Sequence, residues 1–167
     1  GCMEYLDKAD GDKFVDWSRL FLYYNEREMQ GWEHEDSGAF LRDGIKSLAK
    51  QGICAESSWP YNVKKFDKQP CADQYLEGLE HKAISYFRID SLDDMLNALA
   101  GGYPFVFGFT VYESFMSSEV ARTGVVPMPG PNERTQGGHA VCAVGYDLVG
   151  KYFIVRNSWG SDWGKSG

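Results

Sequence analysis

His139 and Asn157 are the residues whose types and spacing best suit chemistry. His139 opens the apolar run "HAVCAVGYD" straight after Gly137 and Gly138, and Asn157 closes the run "KYFIVRN" 18 residues later. A histidine at the head of a strand has its backbone fixed by pairing and its ring at the rim of the sheet. A carboxamide next to that ring accepts a hydrogen bond from one imidazole nitrogen. The bond sets the tautomer and leaves the other nitrogen to exchange a proton with a nucleophile. A hairpin turning near 147–150 and centred at residue 148 would put both residues at its open end. Trp159 would then shield the bond from water. Taken alone, His139 reads as a strand cap; Asn157 turns it into a candidate acid–base group. His34, in an acidic loop, and His81, at a helix end, read as solvated surface residues.

The candidate nucleophiles are Cys2, Cys54, Cys71 and Cys142. None belongs to a CxxC pair, which argues against zinc, and no metal or cofactor is expected. Four cysteines in 167 residues are too few to build the fold from disulfides, although Cys54 and Cys71 flank an irregular segment and could be bridged in an oxidising compartment. Cys142 sits inside an apolar strand and reads as core. Cys2 lies in a short helix that Asp10 and Gly11 stop, with no glutamine before it.

The elements that must position these groups fall in two blocks. "CMEYLDKAD" reads as the end of a helix. "SRLFLYYNEREMQG" is a helix capped by Ser18 and ended by Gly31. "AFLRDGIKSLAKQG" is a third, with Phe40, Ile45, Leu48 and Ala49 as its apolar face. "ADQYLEGLEHK" is a short helix, and "AISYFRI" has strand composition. "SLDDMLNALAGG" is a helix with a Ser91–Asp94 capping box. The period then changes. "YPFVFGFTVY" reads as a buried strand, and a turn-rich loop over 123–138 leads to the His139 and Asn157 strands. Helices followed by strands indicate an α+β fold, with a helical lobe at 1–98 and a β-rich lobe at 99–167.

Composition supports the division. Residues 1–98 hold 12 Lys/Arg and 19 Asp/Glu, whereas residues 99–167 hold five of each. The net charge of −7 argues against nucleic acid as the main partner. No apolar run approaches the ~18–20 residues of a membrane span, so no membrane partner is expected. No secretory leader is visible, which leaves cytoplasmic and secreted locations both open. The oligomeric state is not legible.

"GGHAVCAVGYD" and "VRNSWGSDWG" resemble the His strand and the Asn-Ser-Trp-Gly signature of the papain-like cysteine peptidases. "DSGAFLRDGIKSLAKQGICAESSWPY" resembles that family's cleft-wall loop and following helix, and "SRLFLYYNERE" is similar to its bacterial branch. The resemblance implies two lobes, one helical and one built on an antiparallel barrel-like sheet, with the active-site cleft between them. It implies hydrolysis of peptide bonds through a thiolate–imidazolium pair, with His139 as acid–base and Asn157 as its orienter. Ser37 and Gly38 would pair with the backbone of an extended peptide or protein substrate. Phe105, Gly138 and Ala140 would line the pocket for its second residue, and Trp159 would wall the leaving-group side.

The family's nucleophilic cysteine stands at the N-terminus of the long first helix. "GCMEYL" looks like the second half of that helix, which would put the nucleophile before Gly1, even though Cys2 lies 137 residues ahead of His139, within the family's range of about 130–150. The family's strands also continue past its "WGxxG" segment. The resemblance thus implies an incomplete peptidase, inactive as these 167 residues. An inactive peptide-binding homologue, or another Cys/His acyl transferase, remains an alternative.

Overall fold

A computed structural model describes all residues from Gly1 to Gly167. Two compact units emerge. Met3–Ile89 form one, and Asp90–Gly167 form the other together with Gly1 and Cys2. Helix α5 therefore goes with the sheet.

The first unit holds helices α1 (Cys2–Ala9, mostly in this unit), α2 (Arg19–Glu28), α3 (Leu41–Lys50) and α4 (Ala72–Leu79). Ser18 caps α2 as expected. Its hydroxyl accepts the Phe21 N–H at 3.1 Å and donates to the Trp59 carbonyl at 2.7 Å, which ties the helix start to the loop before α4. The core is Trp17, Phe21, Ile53 and Cys54, with Leu48, Trp59 and Tyr75 packed around it.

The expected apolar face of α3 is only partly turned inward, with Leu48 against the core and Ile45 and Ala49 half-buried, and the most buried residues are others. Asp43, Gly44 and Ser47 face inward, while Phe40 is exposed. The reason is the neighbour. α3 packs on α2 with small and polar groups, so Gly44 makes room for Glu26 and Asp43 accepts from Gln30 at 2.7 Å. His81 is half-buried rather than solvated, with its ring 4.6 Å from that of Trp17. Residues 83–89 form no strand, contrary to their composition. A strand exists only through its ladder, and none of the three strands pairs with this segment.

The second unit holds α5 (Leu92–Ala100), β1 (Phe105–Tyr112), the short α6 (Ser118–Thr123), β2 (Thr135–Asp147) and β3 (Tyr152–Arg156). The Ser91–Asp94 capping box is formed in both directions. The sheet is antiparallel in the order β1-β2-β3. Burial along β1 alternates, with only Phe105 and Val111 buried, so it is a one-faced strand and not the fully buried one expected. β2 begins at Thr135, and the turn-rich loop is correspondingly shorter. A local core of Val111, Phe115 and Val120, with Phe109 and Trp163 against it, lies next to His139.

Candidate active site

β2 carries His139 in a regularly paired stretch. From Gly137 to Ala143 it pairs residue for residue with β1, with His139 opposite Phe109. The following hairpin turns at 148–151. Asp147 holds that turn by accepting the N–H groups of Val149 and Gly150 at 2.8 and 2.7 Å, bonds that also keep its carboxyl below the usual range.

The register is not the one that sets His139 directly opposite Asn157. Cys142 faces Arg156, and a bulge between Ala143 and Gly145 shifts the pairing by one residue. Asn157, the next residue after Arg156, therefore falls level with Val141. It reaches His139 diagonally along the same face, as neighbours two residues apart on facing strands can.

The reach is complete: His139 Nε2 lies 2.8 Å from Asn157 Oδ1. The same oxygen accepts the N–H of Ser158 at 2.8 Å. Of the carboxamide's two ends only the oxygen can accept an N–H, so this bond assigns which end faces the ring. His139 must then donate from Nε2, and Nδ1 is the nitrogen left for proton exchange. Asn157 is buried, and its own N–H donates to the Gly167 carbonyl at 2.9 Å. Burial and the two bonds at Oδ1 leave the carboxamide little freedom to turn, while the backbone bond to Gly167 anchors the chain that carries it.

Aromatic rings enclose the imidazole. Trp159 packs against it at a tilt, with centroids 5.0 Å apart and planes 30° from parallel. Phe109 and Phe115 approach at 5.9 and 6.2 Å. Trp163 packs edge-on against Trp159, so the cover is itself held. Phe105 is buried at the start of β1 against Phe107 and Phe153. Gly138 is exposed opposite Thr110, and a Cβ there would meet only the Phe109 carbonyl, at 4.0 Å.

The four cysteines have other neighbours. Cys2 Sγ sits 3.3 Å from Cys142 Sγ. Cys142 is three residues beyond His139 in a regularly paired stretch, so their side chains leave opposite faces of the strand. Cys2 is thereby held on the face away from the imidazole. Cys54 is fully buried in the helical core, where burial, with Glu77 adding, pushes its thiol up to about 12. Cys71 is exposed at the start of α4 and donates to Gln74 Oε1 at 2.7 Å. Cys54 and Cys71 are both free thiols, not a bridge.

In the helical unit, Ser37 and Gly38 lie on an exposed loop after α2. Ser37 Oγ donates to the Gly38 carbonyl at 3.1 Å, and the Gly38 N–H donates to Tyr23 Oη at 3.0 Å.

What holds this loop escaped the sequence. Arg27 is fully buried in α2. Its guanidinium donates to the carbonyls of Tyr23 (3.0 Å), Glu33 (2.8 Å) and Glu35 (2.8 Å), and to that of Phe66. It also stacks on the rings of Tyr23 and Phe66, 3.9 and 5.3 Å from their centroids. In "NERE" nothing distinguishes this arginine from a solvated helix residue. The only signal is that its positions i−3 and i−4, Tyr24 and Tyr23, are aromatic.

Comparison with known proteins agrees with this geometry. The family model described as papain family cysteine protease matches residues 30–167. An uncharacterized peptidase C1-like protein of Acanthamoeba polyphaga mimivirus is 49% identical over 90% of this chain and 51% of its own length. A cathepsin B-like protein of Giardia intestinalis is 35% identical over 99% of this chain and 54% of its own. Among solved structures, xylellain, a cysteine protease from Xylella fastidiosa, superposes with a TM-score of 0.88 at 37% identity, covering 99% of this chain and 67% of that one. The chain thus spans about half the length of the curated relatives it matches.

Proposed function

Because this chain belongs to the papain family of cysteine proteases, we propose that it is part of a peptidase in which His139 is the acid–base group and Asn157 fixes its tautomer. The observation that carries this reading is the 2.8 Å bond from His139 Nε2 to an Asn157 oxygen already pinned by Ser158. A protein that only bound peptides would need neither an oriented imidazole nor its cover.

In the proposed reaction a cysteine thiolate attacks the peptide carbonyl carbon. The imidazolium gives its Nδ1 proton to the leaving amine nitrogen as the C–N bond breaks. Water, deprotonated by the same nitrogen, then hydrolyses the thioester and restores the thiol. Asn157 accepts from Nε2 throughout, which keeps Nδ1 turned toward the reacting groups.

We assign the nucleophile to a cysteine outside these 167 residues. Cys2 is engaged with Cys142 on the far face of β2, Cys54 is buried with a raised thiol, and Cys71 caps a helix. The substrate is an extended peptide or protein. Ser37 and Gly38 supply backbone contacts from the helical unit. Phe105 and Gly138 shape the pocket for its second residue, and Trp159 covers the leaving-group side. Related proteins include a Carica candamarcensis cysteine protease solved in complex with E-64, at 22% identity.

Labelling the full-length protein with an electrophilic peptide epoxide tests this assignment. One modified cysteine outside Cys2, Cys54, Cys71 and Cys142, with loss of labelling in His139→Ala, is the expected result. Labelling of Cys2, or of no cysteine, overturns it. Transfer of the acyl group to amines in preference to water would instead identify an acyl transferase.

A further inference from the structure

Gly38 is the residue at which the proposed reading brings a peptide backbone to the helical unit, and both of its backbone groups are already engaged. The two engagements differ. The Gly38 carbonyl accepts from Ser37 Oγ and has a second lone pair for another donor. Its N–H has one hydrogen, which can serve Tyr23 Oη or a substrate carbonyl but not both.

Tyr23 is built to keep that hydrogen. Its hydroxyl proton goes to Asp36 Oδ1 at 2.6 Å, so the oxygen's lone pairs are what it presents to Gly38. Burial and the bond to Asp36 push the phenol above its ordinary value, so the hydroxyl stays protonated at neutral pH. One face of its ring lies under the Arg27 guanidinium, itself fully buried and anchored on four carbonyls. Gly38 completes the contact with φ +74°, a backbone conformation that suits glycine.

We propose that the Tyr23 hydroxyl is a resident competitor for the Gly38 N–H, displaced when an extended peptide binds, so that Tyr23 is a positioning residue that tunes substrate affinity. The inference rests on the reading of Gly38 as a peptide-backbone site. Binding then exchanges one N–H···O bond for another, and the N–H adds little net affinity. The Gly38 carbonyl carries the contact.

Tyr23→Phe keeps the ring and the guanidinium stack and removes the oxygen. A net hydrogen bond of about 0.5–1.5 kcal/mol corresponds to a roughly two- to twelvefold change in an equilibrium constant. In the full-length protein we therefore expect KM for an extended peptide amide to fall about three- to tenfold in Tyr23→Phe, with kcat within about twofold. An unchanged or raised KM overturns the proposal. Asp36→Ala removes the carboxylate that takes the Tyr23 hydroxyl proton and so makes its oxygen a weaker acceptor for Gly38; it is expected to lower KM in the same direction, by less, and decides the matter if Tyr23→Phe does not fold.

A depsipeptide with ester oxygen in place of the N–H that meets the Gly38 carbonyl separates the two layers. Wild-type KM should be higher for the ester than for the amide. An equal KM removes Gly38 as a backbone site and the competitor role with it. A higher ester KM with no response to Tyr23→Phe or Asp36→Ala keeps Gly38 and overturns the role of Tyr23 alone.

Discussion

Replacing Arg27 by methionine removes the guanidinium while nearly preserving volume, and its cost can be worked from the contacts. The Tyr23 carbonyl keeps its helical donor. The carbonyls of Glu33, Glu35 and Phe66 lose theirs. Hydrogen bonds to a charged group contribute about 1.5–3 kcal/mol each, so three would give about 5–9 kcal/mol if simply summed. Two effects reduce this. The loop carbonyls can open to water, and methionine has no burial cost to offset, whereas the guanidinium does. The expected loss is therefore about 3–5 kcal/mol, as when one partner of a buried charged contact is deleted. Urea unfolding of the full-length protein reads it as a lower midpoint at constant slope. Hydrogen exchange should rise first at the amides of 31–38, because the loop is released before the core is. Arg27→Lys keeps the charge but not the planar fork, and should fall between wild type and Arg27→Met. A loss below about 1 kcal/mol in Arg27→Met, or a lysine variant equal to wild type, would refute the reasoning that the fork organises this loop.

Three further outcomes follow from the same contacts. Burial beside Gly44 is the main cause that raises the Glu26 carboxyl to about 7, with Asp43 adding and Arg27 opposing. The native state therefore holds this proton more tightly than the unfolded chain. Its contribution is complete below about pH 4.5 and is lost as pH rises through about 7, a change on the order of 3 kcal/mol. Wild type should lose that much relative to Glu26→Gln between pH 4 and 8, read as diverging urea midpoints; parallel pH curves would contradict it. Asn157→Ala removes the acceptor for His139 Nε2, and kcat/KM should fall about 10- to 150-fold, the equivalent of about 1.5–3 kcal/mol, in peptide hydrolysis by the full-length protein. Gly52→Ala would put a Cβ 1.7 Å from the Gly78 carbonyl oxygen at φ +73°, so it should lower the melting temperature by far more than Gly31→Ala, whose added Cβ meets nothing within 4 Å.

What the sequence revealed followed the range of the interaction. Ser18 and Ser91 are legible because a cap and its N–H lie three residues apart. His139 and Asn157 are legible because a single hairpin joins them, although the bulge that makes their contact diagonal leaves no mark in "HAVCAVGYD". Arg27 is not legible, since its partners at Glu35 and Phe66 come from separate loops. Nor is the contact of Cys2 with Cys142, 140 residues apart. The inward face of α3 misleads for a different reason. Periodicity assumes that apolar side chains are what a helix buries, and here a carboxyl, a hydroxyl and a glycine are buried because Gln30 donates to Asp43, Ser47 donates to Gln51 of its own helix end, and Gly44 leaves space for Glu26 of α2.

The bulge at Ala143–Gly145 also bears on how this hairpin can evolve. Strand side chains alternate, so the face on which Asn157 emerges depends on the parity of the residue count between it and His139. Lengthening or shortening the hairpin by two residues preserves the face, while a change of one sends the carboxamide to the wrong side. A bulge is where a single extra residue can be taken up or given back without disturbing either flank. Odd-length insertions and deletions in descendants of this sequence should therefore be found together with gain or loss of a bulge, and even ones at the 148–151 tip.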